Sequence, residues 1–249
     1  MSLEIKGPES FSLQDPLDSL LEKAQAKFNI QFESIKIADQ ELHILQIADM
    51  DRYVERLADS APLGQGIELP YWAKIWPTSI LLSYYLQRLP QNKNLNILEL
   101  GSGVGVCGLV AAKCGFQVTM TDNIEDALLF AQINILKNNL EKNARIARVD
   151  FTQDQLPNRF DLIVGSEVLY KESTYSPLIK FLLEHIKQEN NPEIIIAQNY
   201  KLQAEKFFNL AEEKFGIQKK TLGYREKSSS AKNEQGEKHL CNIYRMKPL

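Results

Sequence analysis

The chain is 249 residues long, 44% hydrophobic and 24% charged, with a formal net charge of −3. This composition suits one large globular domain, or one domain with an N-terminal elaboration, and supplies enough apolar material for a sizeable core. It offers no global positive charge to hold nucleic acid or a membrane surface, and no run of about 18 apolar residues that would cross a bilayer.

Residues 1–15 read as polar and loose, mixed and acidic, with no signal-peptide core. Leucines and alanines at helical spacing predict a helix from Pro16 to Phe28. Ile30 to Ile37 and Glu41 to Ile47 alternate apolar and polar residues around Ala38-Asp39-Gln40, the pattern of a β-hairpin. A short helix over Asp49 to Ala58 and a loop over Pro62 to Gly66 follow. From Trp76 a regular rhythm begins. Pro77 suits the first position of a helix over Thr78 to Arg88, ended by Pro90. Strands are expected at Asn96–Leu100, Gln117–Thr121, Ala144–Val149, Phe160–Gly165 and Glu193–Gln198. Helices are expected at Val104–Cys114, with Gly115 as its cap, and at Glu125–Asn138, Ser176–Ile186 and Leu202–Phe215. The end differs: Ile217–Tyr224 and His239–Met246 are two strands joined by a polar segment, Arg225 to Lys238, with no helix between them.

Strands alternating with helices imply an α/β fold: a doubly wound, Rossmann-like seven-stranded sheet, five strands parallel and the last two an antiparallel hairpin. Residues 1–68 form an N-terminal hairpin and helix extension, a lid or substrate-facing segment, and residues 69–249 the main domain. Cys107, Cys114 and Cys241 are odd in number and show no CxxC or metal spacing. They read as buried, reduced core residues, which suits a cytoplasmic protein. His43, His185 and His239 are scattered without metal-ligand spacing, so no metal site is expected.

The chemistry gathers around Glu99-Leu100-Gly101-Ser102-Gly103-Val104-Gly105, where an apolar strand breaks into glycines at the start of a helix. Glycine lets a backbone turn tightly and approach a ligand, and a helix N-terminus after a strand is a nucleotide-cofactor site. Gly103 to Gly108 is a formal GxGxxG match, so a nicotinamide or flavin dinucleotide is one candidate. The other is S-adenosylmethionine, which needs a carboxylate near its amino group, close backbone approach and an acid on its ribose. Glu99, just before the first glycine, would oppose a diphosphate but suits an ammonium. Asp122, with Asn123 beside it, follows the second strand of this series where an acid reaches ribose hydroxyls, although it could equally cap the next helix. Asp150 ends the third strand, where it could accept from the adenine amino group, and Phe151 could stack on the adenine. Three acids at the ligand-binding edge of consecutive strands favour S-adenosylmethionine.

On these residues, and on Leu69-Pro70-Tyr71-Trp72-Ala73-Lys74-Ile75-Trp76-Pro77 and Ser166-Glu167-Val168-Leu169-Tyr170, residues 70–249 resemble a class I S-adenosylmethionine-dependent methyltransferase. Within that superfamily they resemble the group of small protein-lysine methyltransferases (methyltransferase-16-like). The resemblance implies that Trp76 packs on the cofactor and that Ser166 lines it, with Gly101, Ser102, Gly103 and Gly105 in the backbone cradle. An Asp-x-x-Tyr motif in those relatives becomes Glu167 to Tyr170 here, and the tryptophan after their third-strand acid becomes Phe151. Trp72 and Trp76 would share a face if their stretch were helical, but Pro77 biases Trp76 away from helix.

Methyl transfer to an amine needs alignment, exclusion of water and a free lone pair. Glu167 could orient an ammonium or accept its proton, and Tyr170 could close an aromatic wall and hydrogen-bond to the amine. The resemblance implies methyl transfer to a protein lysine, with S-adenosylhomocysteine as product. A small-molecule N- or O-methyltransferase and an inactive cofactor-binding partner subunit are the alternatives, with a dinucleotide oxidoreductase behind them. No Asn/Asp-Pro-Pro-Tyr follows the fourth strand, which lowers nucleic acid as a partner. No membrane partner is expected, and a monomer is favoured.

Overall fold

The structure is a computed structural model that describes residues 6–62, 67, 69–90, 95–202, 204–225 and 238–249. The expected loop at 62–66 and the polar segment at 225–238 lie largely outside them. Among the described residues no helix is long and apolar enough to cross a membrane.

The central sheet has seven strands: β3 (Asn96–Leu100), β4 (Gln117–Asp122), β5 (Ala144–Arg148), β6 (Leu162–Ser166), β7 (Glu193–Asn199), β8 (Phe215–Arg225) and β9 (Lys238–Pro248). Their spatial order is β5-β4-β3-β6-β7-β9-β8. The first five are parallel, and β9 runs antiparallel to both β7 and β8. The sequence rhythm of strand and helix foretold this doubly wound arrangement. The order reverses between β3 and β6, the switch point where ligands bind in open α/β sheets.

Alternate residues of each strand face two apolar clusters. Ile97, Val118, Ile195 and Ile243 meet helices α3 (Pro77–Leu86), α4 (Val106–Lys113) and α5 (Glu125–Lys137). Leu98, Ile163, Ile194 and Met246 meet α6 (Tyr175–His185) and α7 (Glu205–Ala211). A strand covered on both faces reads as a continuous apolar run. Glu99 is the charged exception, one residue before the carboxyl end of β3 and only 4% exposed.

Helix α1 (Leu17–Gln25) and the hairpin β1 (Ile30–Ile37) and β2 (Gln40–Ile47) form a third layer outside α5, and α2 (Met50–Ser60) follows them. This explains why α5 is buried without a break from Ala127 to Ile135: the sheet covers one side and the hairpin layer the other. Phe28 and Trp72 pack edge-on against Phe130, with ring centroids 5.5 and 5.0 Å away.

Two sequence expectations give way. Residues 6–15 are not loose. The N–H of Arg148 donates to the Lys6 carbonyl at 2.9 Å, Phe11 is buried, and Glu125 accepts from the N–H groups of Glu9 and Ser10 and from the Ser10 hydroxyl. The helix expected over 202–215 is confined to Glu205–Ala211. Ala204 sits at φ +42° at its N-cap, and Phe215 turns inward to begin β8 as a fully buried core residue.

Candidate active site

The turn after β3 is held by its neighbours. Ser102 N–H donates to the Thr121 carbonyl at 2.9 Å and Gly105 N–H to the Ser102 carbonyl at 2.8 Å. Gly101, Gly103 and Gly105 have φ of +57°, +53° and +89°, the left-handed region that residues with a Cβ adopt at a cost. At Gly103 a Cβ would lie 2.6 Å from the Trp72 carbonyl oxygen. Gly108 is needed for a different reason: its Cβ would lie 2.5 Å from Glu99 Oε2 and from Met120 Cγ, so α4 could not close onto the sheet. Asn134, fully buried on α5, donates to the Val104 carbonyl at 2.9 Å and accepts from Leu45 N–H at 2.7 Å. It joins the glycine turn to the N-terminal hairpin, and nothing in its sequence context marks it.

Glu99 points from β3 beneath the first turn of α4. Burial pushes its carboxyl up to about 8, against a weaker downward pull from the Gly108 N–H. Its Oε2 and the Ser102 hydroxyl are buried and lack a hydrogen-bond partner. Asp122, 8% exposed, accepts from Gly103 N–H at 3.0 Å and Ile124 N–H at 3.1 Å. One carboxylate thus clasps the glycine turn and also caps the start of α5, so both sequence readings of Asp122 coexist. Burial raises its pKa as well. Asn123 beside it is exposed. A polar pair without partners beside left-handed glycines is the arrangement a small zwitterion with an ammonium and a carboxylate would complete. The residues present therefore fit S-adenosylmethionine.

Asp150 is engaged in its own turn. Its Oδ1 accepts from the Thr152 N–H and hydroxyl, and its Oδ2 from Gln153 Nε2. Although partial burial alone would raise it, these bonds hold its pKa below the usual carboxylate range. Phe151 is half-buried, with its ring 6.5 Å from Phe181.

Before α3, Tyr71–Ala73 forms a single 3-10 turn and Trp76 is extended, with ψ 138°. The two tryptophans therefore diverge. Trp72 enters the N-terminal core, 5.8 Å from Phe28, while Trp76 stays partly exposed and donates from Nε1 to the Tyr71 carbonyl at 3.0 Å. The Ser166 hydroxyl bonds Thr78 Oγ1 at 3.0 Å, tying the end of β6 to the start of α3.

Glu167 has φ +58°. A branch-free glutamate in the left-handed region is uncommon, and such strain persists only where surroundings over-determine it. Here its N–H donates to the Ala197 carbonyl, Oε1 accepts from Asn199 N–H and Oε2 from Gln198 Nε2, each at 2.9 Å. Burial raises its pKa against the opposing bonds from Thr78 and Asn199. Gln198 is fully buried and was missed by sequence reasoning, because a glutamine at a strand end carries no pattern of its own. Tyr170 is 79% exposed and follows β6 at the rim of the strand ends.

Asp122, Glu99 and Glu167 thus sit at the carboxyl ends of three adjacent strands, β4, β3 and β6. A polar cleft at the opposite, amino edge is lined by Gln117, Arg145 and Arg159 among others, and none of the residues above reaches it.

A family described as lysine methyltransferase matches residues 68–214. The mouse protein N-lysine methyltransferase METTL21A is 32% identical over 155 residues, covering 59% of this chain and 70% of the relative. The mouse EEF1A lysine methyltransferase 3 is 28% identical over 130 residues, covering 49% and 53%. Among solved structures, a SAM-dependent methyltransferase from Agrobacterium tumefaciens superposes with a TM-score of 0.57 at 15% identity, over 88% of this chain and 70% of that one. The N-methyltransferase NodS from Bradyrhizobium japonicum, in complex with S-adenosyl-L-homocysteine, gives 0.53 at 17% identity, over 80% and 98%. These two likenesses show the fold.

Proposed function

The chain belongs to the lysine methyltransferase family, and we propose that it transfers the methyl group of S-adenosylmethionine to the ε-amine of a lysine in a protein. The observation that carries this reading is the alignment of Asp122, Glu99 and Glu167 on three adjacent strand ends around the glycine turn. When bound, S-adenosylmethionine supplies a methyl group on a positively charged sulfur, which a neutral amine displaces in line.

The chain's own residues divide the remaining work. Glu99 and the Ser102 hydroxyl take the ammonium and carboxylate end of the cofactor, using the buried atoms that lack partners. Asp122 and Asn123 take the ribose, and Asp150 and Phe151 the adenine. Gly101, Gly103 and Gly105 let the backbone approach, and Trp76 and Ser166 flank the reacting end. Glu167 faces the acceptor. Its oxygens are aimed by Gln198 and Asn199, so it receives the lysine ammonium in a fixed place. A lysine amine has to lose its proton before it can react, since its ordinary pKa is about 10.4. Desolvation and the neighbouring positive sulfur drive that loss. The raised pKa of Glu167 makes it a better acceptor for the departing proton than an ordinary carboxylate.

The test is transfer of labelled methyl from S-adenosylmethionine into a desalted lysate, analysed with and without protease. Label should appear at high mass and shift to peptides after digestion. Label already at low mass and unchanged by protease would move the acceptor to a small molecule.

A further inference from the structure

Largely exposed tyrosines are uncommon without a reason, since the ring offers a large apolar area to water. Among the described side chains there are three, and all stand on one edge of the molecule: Tyr71 at 60%, Tyr170 at 79% and Tyr200 at 48% exposed. Leu202, 50% exposed, stands beside Tyr200. They occupy the segment before α3 and the loops after β6 and β7, which border the candidate active site. Direct contacts tie the three segments together: Tyr71 lies 6.0 Å from the Trp76 ring, Thr78 bonds Ser166 at 3.0 Å, and Asn199 bonds Glu167 at 2.9 Å.

The same edge carries positive charge on a chain whose net charge is −3. Lys74, Lys171 and Lys201 are exposed on these segments, and the Lys74 ammonium lies 4.8 Å over the Trp76 ring. Lys206 is already spent on Glu172 at 2.7 Å. Outside that pair, the exposed acid that follows these loops is Glu205.

We propose that this edge is the docking surface for a protein segment whose target lysine is flanked by apolar and acidic residues. The proposal rests on the protein-lysine reading above and names the class of substrate within it. Apolar flanks would cover the tyrosines and Leu202, which otherwise stay in water. Acidic flanks would pair with Lys171 and Lys201, and a basic-flanked segment would be repelled by them. The charge of the target lysine itself is met by Glu167, which sits deeper, so the rim and the strand end have separate tasks.

The experiment measures binding before turnover. Two fluorescent peptides carry norleucine in place of the target lysine, so that nothing can be transferred. One has leucine, aspartate and glutamate flanks, the other glutamine and lysine flanks. Both are titrated into the full chain at low salt with S-adenosylhomocysteine present. The acidic peptide should bind at least about tenfold more tightly, and this preference should weaken as salt screens the charges. The double variant Lys171→Glu, Lys201→Glu should reverse the preference, and Tyr200→Ser should weaken both peptides. The melting temperature and S-adenosylhomocysteine affinity should stay unchanged in both variants. Equal binding of the two peptides, or a preference that survives the charge reversal, overturns the proposal. The same peptides with lysine restored are then offered with labelled S-adenosylmethionine. Flank-dependent binding without transfer keeps the docking surface and counts against the lysine acceptor; transfer without flank preference keeps the acceptor and rejects the docking surface.

Discussion

Glu99 sits where a carboxylate is most costly to ionise, enclosed beneath α4 with one oxygen lacking a partner. Its folded pKa of about 8 lies above its ordinary value, so the folded chain holds this proton more tightly than the unfolded one. The associated stability is full at low pH, declines as pH rises past the ordinary carboxylate range, and is lost above pH 8. Asp122 shifts the same way. Thermal unfolding of the cofactor-free protein should therefore fall in midpoint from pH 5 to pH 8.5, and Glu99→Gln should flatten much of that decline. The same substitution should weaken S-adenosylmethionine binding, because the ammonium then meets a neutral amide. Calorimetry at pH 7 in buffers of different ionisation enthalpy should show close to one proton released on binding by the native chain and markedly less by Glu99→Gln. Equal proton release by the two would remove Glu99 from the ammonium site. Glu167 carries a different expectation. Its carboxylate is oriented but lies outside the glycine turn, so Glu167→Gln should lower turnover by about a hundredfold through lost alignment and proton acceptance. Cofactor affinity in a binding titration should stay near native, and equal losses in both would place Glu167 in the cofactor site.

At the scale of elements, the strand, glycine turn and helix at 96–113 were legible because each local rule agreed with the fold: an apolar strand, glycines where φ is positive, then a helix free of breakers. The hairpin at 30–47 was legible from its alternation. Other pieces were not, for physical reasons. The helix α7 was overextended because Phe207, Phe208 and Phe215 keep an apolar spacing that suits either element, and only tertiary burial of Phe215 in the sheet decides between them. The strap at 6–15 is polar in sequence and is fixed by long-range bonds to Glu125 and Arg148. Asn134 and Gln198 act through partners far away in the chain, Leu45 and Val104 for one and Glu167 for the other. Asn134 also yields a test. Asn134→Leu would strand the Val104 carbonyl and the Leu45 N–H, each worth about 1–3 kcal/mol when buried without a partner. Stability should drop, amide exchange at Leu45 should accelerate, and cofactor affinity should fall because Val104 belongs to the glycine turn. Slow exchange at Leu45 with native affinity would show that the hairpin and the turn are not coupled through this side chain.

Across the whole molecule, the layers assign the work by position. The sheet and its two helical faces set the strand ends in one row, and the N-terminal layer braces α5 and, through Asn134, the glycine turn. The carboxyl edge gathers the buried acids, the left-handed turns and the exposed tyrosines, while the amino edge carries a polar cleft with none of them. The cofactor end of this edge could be read from sequence because its needs are backbone geometry and acids at fixed strand ends. The acceptor end could not be read so far, because Glu167 and Tyr170 are two residues whose settings, one strained and half-buried and the other exposed, depend on β7 and on the loops around them. The central claim is that the methyl group ends on a lysine nitrogen. The direct measurement is amino-acid analysis of protein labelled from S-adenosylmethionine by this chain, after acid hydrolysis. Label recovered as ε-N-methylated lysine, and absent with Asp122→Ala, is the result the account predicts; label recovered on arginine or histidine, or lost to hydrolysis as a methyl ester would be, contradicts it.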